Sequence, residues 1–394
     1  MKICSIVSEY NPFHAGHLYQ IQQIRNQIPD CLIVSIMSGN YVQRGEPALW
    51  EKYFRAACAV QAGGPDLVIE LPLTAALSSA EHFARGGIQL TAALGCVTHL
   101  SFGCETGTAE SLMELANMLD SETFLQQLKQ NLSAGMSYAQ ASAQAASVLH
   151  PVLASLLESP NDMLAVQYCR AIQQDCPQLE LVAVRRVGAA HDGAPADGIP
   201  SASYIRFLLQ SGNMSEAFAL LPKAYREQCR TARCHSWNDL EAAALPYFRR
   251  LSPEYISTLP NVSEGLEHRF YAAARNAQSL QELWEASRSR RHPLSRIRRL
   301  TACAYLGITQ DLVALPPAYV TVLAMNRNGR KILREMKKTC SLPVIIKPTQ
   351  ARALSGNAKT LWDLTMSADD QYHFPEPAGI SWKCTPFCSD GSVL

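Results

Sequence analysis

Apolar positions along the first half of the chain fall in short runs, and the segments between them have helical spacing. Residues 2–8 (KICSIVS) form the first run and stop at Glu9-Tyr10-Asn11-Pro12, a turn signal. A helix is predicted from about Gly16 to Gln27, then a buried strand over 31–37 (CLIVSIM), ended by Ser38-Gly39-Asn40. The alternation goes on with a helix over 49–62, a strand over 66–71 (DLVIEL) cut by Pro72, an Ala-rich helix over 79–94 and a strand over 97–102 (VTHLSF). Helix dominates from Thr108 to Gln174, with a break at Pro160-Asn161. A late strand over 179–185 (LELVAVR) and a helix starting near Ser201 complete this part. Such a pattern predicts the α/β class, with βαβ units and a parallel sheet.

After about residue 215 strand-like runs become rare, and Leu, Arg and Lys recur at helical spacing. Helices are predicted near 237–249, 264–276, 279–288, 293–306 and 328–338. The tail from Asp369 is rich in Pro and Gly and is expected to be irregular. The expected organisation is therefore two domains, 1–215 and 216–394, the second mainly α-helical.

Charge follows the same division. The whole chain balances 35 Lys and Arg against 34 Asp and Glu, yet residues 1–215 hold 11 basic and 18 acidic side chains and residues 216–394 hold 24 and 16. The second half is thus the candidate polyanion binder. A 47% hydrophobic chain of 394 residues has ample material for a sizeable core, and disorder is excluded. No run approaches ~18 apolar residues, and no signal-like segment opens the chain, so a cytoplasmic protein without a membrane span is expected. Thirteen Cys are scattered with no CxxC pair. Cys384 and Cys388, with His373 upstream, lack the further ligands that zinc needs. They read as free thiols in a reducing compartment, with no structural metal.

The sharpest chemical signal is Asn11-Pro12-Phe13-His14-Ala15-Gly16-His17, between the first strand and the first helix. Backbone N–H groups and the dipole at a helix N-terminus favour anions. Two imidazoles there can donate to phosphate oxygens, and Gly16 permits close backbone approach. The run is similar to the HxGH signature of the nucleotidylyltransferase superfamily, whose members bind ATP on a Rossmann-like sheet and let an oxygen nucleophile attack the α-phosphate. A late partner motif fits residues 199–206 (IPSASYIR). Ser201 and Ser203 could bond the outer phosphates, and Arg206 could balance charge as pyrophosphate leaves. The bland alternative is a Ser N-cap with an exposed Arg.

The segments IVSEYNPFHAGHL, MSGNYVQRGEPALWEKYFRA, DLVIELP, LSFGCE, SPNDMLAVQY, RRVGAAHDG and SASYIR together resemble the bacterial tRNA(Met) cytidine acetate ligase family. That resemblance implies an enzyme that converts acetate and ATP to acetyl-adenylate and pyrophosphate. The acetyl group then passes to N4 of the wobble cytidine of elongator tRNA(Met), giving N4-acetylcytidine. It implies a nucleotide site made of Val7, Ser8, Glu9, Tyr10, Asn11, Pro12, Phe13, His14, Ala15, Gly16, His17, Leu18, Tyr19 and Gln20, with Gly103, Asn161, Arg186 and Val187. ATP is the co-substrate, with Mg²⁺ carried mainly by its phosphates. Departures from the family pattern are Ala15, the AAHDG stretch and the SASYIR variant.

Forming acetyl-adenylate brings a carboxylate up to a triphosphate, so cations or N–H donors must offset the repulsion. His14, His17, Lys52, Arg55 and Arg206 are the available groups; Lys52 and Arg55 equally suit a solvated helix face. Glu9 and Asp192 are ambiguous as bases. Six Arg in 286–300 (Arg288, Arg290, Arg291, Arg296, Arg298, Arg299) and six basic residues in 327–338 could follow a phosphate backbone. Phe270, Tyr271 and Tyr305 lie near enough in sequence to stack on bases, though most such aromatics are core. Two other functions fit the same residues: adenylylation of a small phosphate-bearing metabolite, which leaves the basic half unexplained, and a non-catalytic RNA-binding protein with a degenerate nucleotide site.

Overall fold

Strand β1 (Ile3–Ser8) enters the interior at once: Ile3, Cys4 and Ser5 are fully buried and flanked on both sides by other strands. The computed structural model describes residues 1–187, 199–263, 265–376 and 386–389. In chain order come α1 (Ala15–Gln27), β2 (Leu32–Ser38), α2 (Lys52–Gln61), β3 (Leu67–Leu71), α3 (Ala80–Leu94), β4 (His99–Cys104), α4 (Pro160–Asp175), β5 (Glu180–Arg185) and α5 (Ala202–Gln210). The helical half supplies α6 (Trp237–Phe248), α7 (Leu266–Asn276), α8 (Leu280–Ser287) and α9 (Leu294–Leu306). It then gives β6 (Val320–Met325), α10 (Arg327–Thr339), β7 (Val344–Ile345), α11 (Gly356–His373) and β8 (Phe387–Cys388).

The eight strands form one sheet in the order β8-β6-β3-β2-β1-β4-β5, with β7 paired to β6. The strands β3-β2-β1-β4-β5 are all parallel. Alternation of side chains decides its two faces. Ile3, Val34, Ile36, Leu67, Ile69 and Phe102 point to the core under α3 and α4, while Cys4, Ile6, Ile33, Met37, Val68 and Val184 point to the core under α1, α2 and α5. The strand order reverses direction at β1, between β2 and β4, and a doubly wound sheet opens a crevice at the carboxyl ends of its strands there.

Two findings depart from the sequence expectation. Val320–Met325 returns to the sheet as β6, antiparallel to β3, so residues on both sides of position 215 build it. All six residues of VTVLAM are buried, which is why the run shows no two-residue alternation that a sequence reading could catch. The tail is helical as far as His373: Leu361, Trp362, Thr365, Ala368 and Tyr372 recur at helical spacing on a buried face. Cys384 lies outside the described residues.

A ribbon of Tyr41–Val42 with Glu46–Pro47 follows β2. Gly45 turns its tip at φ 79°, and a Cβ there would stand 2.4 Å from the backbone carbonyl carbon of Arg298 in α9. Trp237 Nε1 donates to the Gly45 carbonyl at 2.7 Å, and Arg298 pairs with Glu46 at 2.6 Å. The ribbon is therefore clamped to the helical half.

Candidate active site

The loop between β1 and α1 is held by side chains from distant elements. Asn11 accepts from the Leu49 amide through Oδ1 at 2.8 Å, and its carbonyl accepts from Arg206 at 2.7 Å. The Tyr225 hydroxyl donates to the Phe13 carbonyl. Arg55 is 1% exposed and donates to the carbonyls of Glu9, Ser38, Gly39 and Trp50. This loop thus arrives at α1 fixed in place.

His14 is the N-cap of α1, and its Nδ1 accepts from the Gly16 amide at 3.0 Å. His17 Nδ1 accepts from the His14 amide at 3.2 Å. Each Nδ1 is an acceptor, so each neutral ring carries its proton on Nε2. Burial, then Arg186 and Arg206, lowers the His14 pKa to about 3. Burial, then His14, holds His17 well below the usual histidine value. The rings lie 4.1 Å apart, and that of His17 rests on Tyr10 and Phe13. The arrangement offers two uncharged N–H donors at the positive end of a helix. A Cβ on residue 16 would sit 2.8 Å from His14 Cε1, which accounts for the glycine.

These histidines line a cavity of about 380 Å³ at the carboxyl ends of the central strands. Of the expected nucleotide residues, Val7, Ser8, Glu9, Tyr10, Asn11, Gly16, Tyr19, Gln20, Gly103, Asn161, Arg186, Val187, Ser201 and Ser203 line it with them, as does Arg206. Pro12, Phe13, Ala15 and Leu18 do not; Phe13 is 1% exposed and packs beneath His17. Arg186 donates to Asn161 at 2.9 Å, and Asn161 donates to Glu105. Asp162, fully buried, accepts from the amides of Glu105 and Thr106 at 2.7 and 3.0 Å and so fixes the turn after β4. Ser201 caps α5 through the Tyr204 amide at 3.1 Å while facing the cavity, so the cap reading of that serine holds beside its place in the lining. Asp192 lies outside the described residues.

Lys52 and Arg55 are neither solvated nor in the cavity. Lys52 is fully buried between Glu70 at 2.7 Å and Asp369 at 2.6 Å, tying α2 to β3 and α11. Their spacing on one helix face says nothing of what covers that face. Sequence reasoning missed Gln43, Arg44, Ala80, Phe83, Phe102 and Tyr168 in the lining. Gln43 and Arg44 stand in the QRGEP segment, yet a strand pair of two residues each leaves no periodic signal.

The basic run 286–300 divides. Arg288, Arg290 and Arg291 are exposed. Arg296 donates to the Asn261 carbonyl and to Ser263 at 2.8 Å. Arg298, besides its pair with Glu46, lies 4.8 Å over the Trp284 ring. Burial lowers the Arg299 pKa. On α10, Arg327, Lys331, Arg334, Lys337 and Lys338 are exposed while Ile332, Leu333 and Met336 are buried. Phe270 is core, the Tyr305 hydroxyl donates to Gln371 at 3.0 Å, and Tyr271 lies under Arg275. Among the described residues no group of three or more His, Cys, Asp and Glu is arranged to hold a metal ion. Among them no helix is long and apolar enough to cross a membrane.

A family profile described as HIGH Nucleotidyl Transferase matches residues 1–382. The chain is 34% identical over 401 residues to the tRNA(Met) cytidine acetate ligase of Syntrophomonas wolfei, covering 96% of each. It is 32% identical over 398 residues to that of Alkaliphilus metalliredigens, covering 94% of each. The apo crystal structure of Thermotoga maritima TmcAL superposes with a TM-score of 0.91 at 28% identity, over 99% of this chain and 100% of that one. A second crystal form of that protein, bound with alpha-thio ATP, superposes with a TM-score of 0.90 at 27% identity, over 98% of this chain and 100% of that one.

Proposed function

The chain belongs to the tRNA(Met) cytidine acetate ligase family of HIGH nucleotidyl transferases, and on that premise we propose that it activates acetate with ATP and acetylates N4 of the wobble cytidine of elongator tRNA(Met). The observation that carries this reading is the pair of neutral imidazoles, each with its proton on Nε2, at the N-terminus of α1 and in the wall of the cavity.

In the first step an acetate oxygen attacks the α-phosphorus of ATP. The bond from that phosphorus to the bridging oxygen breaks, and pyrophosphate leaves with the electron pair. His14 and His17 donate from Nε2 to phosphate oxygens, where negative charge develops, and need no proton from solvent to do so. Arg206, already oriented by the Asn11 carbonyl and 3.4 Å from Ser203, balances the departing pyrophosphate. In the second step the cytidine N4 attacks the acyl carbon, the acyl–oxygen bond to AMP breaks, and the N4 proton passes to solvent. A weak amine beside a mixed anhydride gains most from positioning. No base is assigned: the Glu9 carboxylate accepts from the Gln43 amide at 2.8 Å. Mg²⁺ belongs to this reading as the counterion of the triphosphate, and the described residues give it no cluster of their own.

Residues 1–215 carry the nucleotide in this reading, and the exposed arginines Arg288, Arg290 and Arg291 contribute to the tRNA surface. Labelled acetate, ATP and total tRNA test it together. Label in tRNA, with one pyrophosphate per acetyl group, is expected; AMP transferred to a stable small-molecule product would overturn it.

A further inference from the structure

Resting on the acetate-ligase reading, we infer that Glu105 is a positioning residue of the ATP site: acting through the Asn161 amide, it aims the Arg186 guanidinium into the cavity. Glu105 stands behind the cavity wall, whereas Asn161 and Arg186 are part of it. The three form a relay. Arg186 Nη1 donates to Asn161 Oδ1 at 2.9 Å, and Asn161 Nδ2 donates to Glu105 Oε1. Hydrogen-bond polarity makes the order of these groups decisive. A carboxylate can only accept and a guanidinium can only donate, while an amide has one side of each kind. The carboxylate therefore turns the NH₂ of Asn161 towards itself and leaves the carbonyl oxygen for Arg186. A flipped amide would set donor against donor at the arginine and acceptor against acceptor at Glu105.

Other parts of this corner serve the same guanidinium. Strands β4 and β5 run side by side, with Gly103 opposite Val184 and Cys104 opposite Arg185, and the Arg186 amide donates to the Cys104 carbonyl at 2.8 Å. A Cβ at position 103 would stand 3.3 Å from Arg186 Cγ, so the glycine leaves a lane for that side chain. Asn161 and Asp162 occupy the first turn of α4. The fully buried Asp162 carboxylate accepts from the Glu105 amide at 2.7 Å and from the Thr106 hydroxyl at 2.8 Å, which anchors the backbone that carries Glu105. At its other end the relay reaches the two histidines. Burial comes first in holding their rings neutral, and the Arg186 charge adds to it at both.

Calorimetry with α,β-methylene-ATP tests the relay as a double-mutant cycle on the full-length enzyme. Glu105→Ala is expected to weaken nucleotide binding by about 5- to 30-fold, within the range that coupled polar groups show. Glu105→Gln, whose amide oxygen can still accept from Asn161, should recover part of that loss. Arg186→Gln alone should bind about 10- to 100-fold more weakly, the worth of a charge-assisted hydrogen bond. In that background Glu105→Ala should cost nothing further, or improve binding, since a carboxylate without its arginine only repels a triphosphate. A role confined to holding the loop after β4 would instead give the same loss in both backgrounds. Equal losses, or an affinity left intact by Glu105→Ala or by Arg186→Gln alone, overturn the relay. Wild-type enzyme that binds the analogue but releases no pyrophosphate when acetate is added overturns the function on which the relay rests, and leaves the cycle itself readable.

Discussion

In the proposed reaction His14 and His17 meet anions without being cations. Both use Nδ1 to accept from the backbone of their own helix turn, so the proton sits on the nitrogen that is left for a phosphate. Replacing His14 by Ala removes one such donor and should lower acetate-dependent pyrophosphate release by about 10²- to 10³-fold, with tRNA binding measured by filter retention nearly intact. The depressed His14 value, about 3 against an ordinary 6.5, also fixes a pH dependence. The unfolded chain binds this proton more readily than the folded one, so the stability it contributes is fully present above pH 6.5 and is lost as pH falls towards 3. Thermal melts should therefore drop on going from pH 7.5 to pH 5, and less steeply in His14→Gln. At this scale the sequence was most legible, since HxGH names both rings and the glycine between them. It was silent on Lys52, because charge on a helix cannot reveal two carboxylates waiting opposite. Lys52→Met leaves Glu70 and Asp369 buried without their cation and should cost about 3–5 kcal/mol in urea unfolding.

Among elements, the parallel strands were readable because each is a short apolar run bounded by Gly, Pro or Asn, as in DLVIEL before Pro72. The ribbon at Tyr41–Pro47 was not, although it carries part of the cavity wall. It owes its shape to partners outside itself: Trp237, Arg298 and the Asn40 carbonyl that accepts from the Ala48 amide at 2.8 Å. Strand β6 escaped for a related reason, being buried on both faces. Gly45→Ala should be the most damaging single change in the ribbon, because it meets the α9 backbone and must hold a positive φ. A loss of about 2 kcal/mol or more in denaturant titration is expected.

For the molecule as a whole, charge asymmetry singled out the half proposed to meet tRNA, but it could not say which arginines are on the outside. Arg298 and Arg299 are half-buried and Arg296 is tied to the loop at Asn261, whereas Arg288, Arg290 and Arg291 are exposed. Changing the last three to Ala together should weaken tRNA binding and flatten its log–log salt slope by about 2 to 3, as expected for the loss of three phosphate contacts. Arg298→Ala should instead lower the melting temperature and leave the salt slope unchanged.

The clamp between the ribbon and α9 also bears on how the enzyme can be taken apart. Tyr41, Leu73 and Leu77 bury themselves among Trp237, Leu240 and Phe248, and β6 supplies a neighbour for β3 from the far end of the chain. Cutting near residue 215 would strip that cover from the nucleotide chamber and leave β3 as a raw sheet edge. A minimal adenylating fragment should therefore come out of cells aggregated, and no autonomous ATPase or exchange module is to be had by truncation.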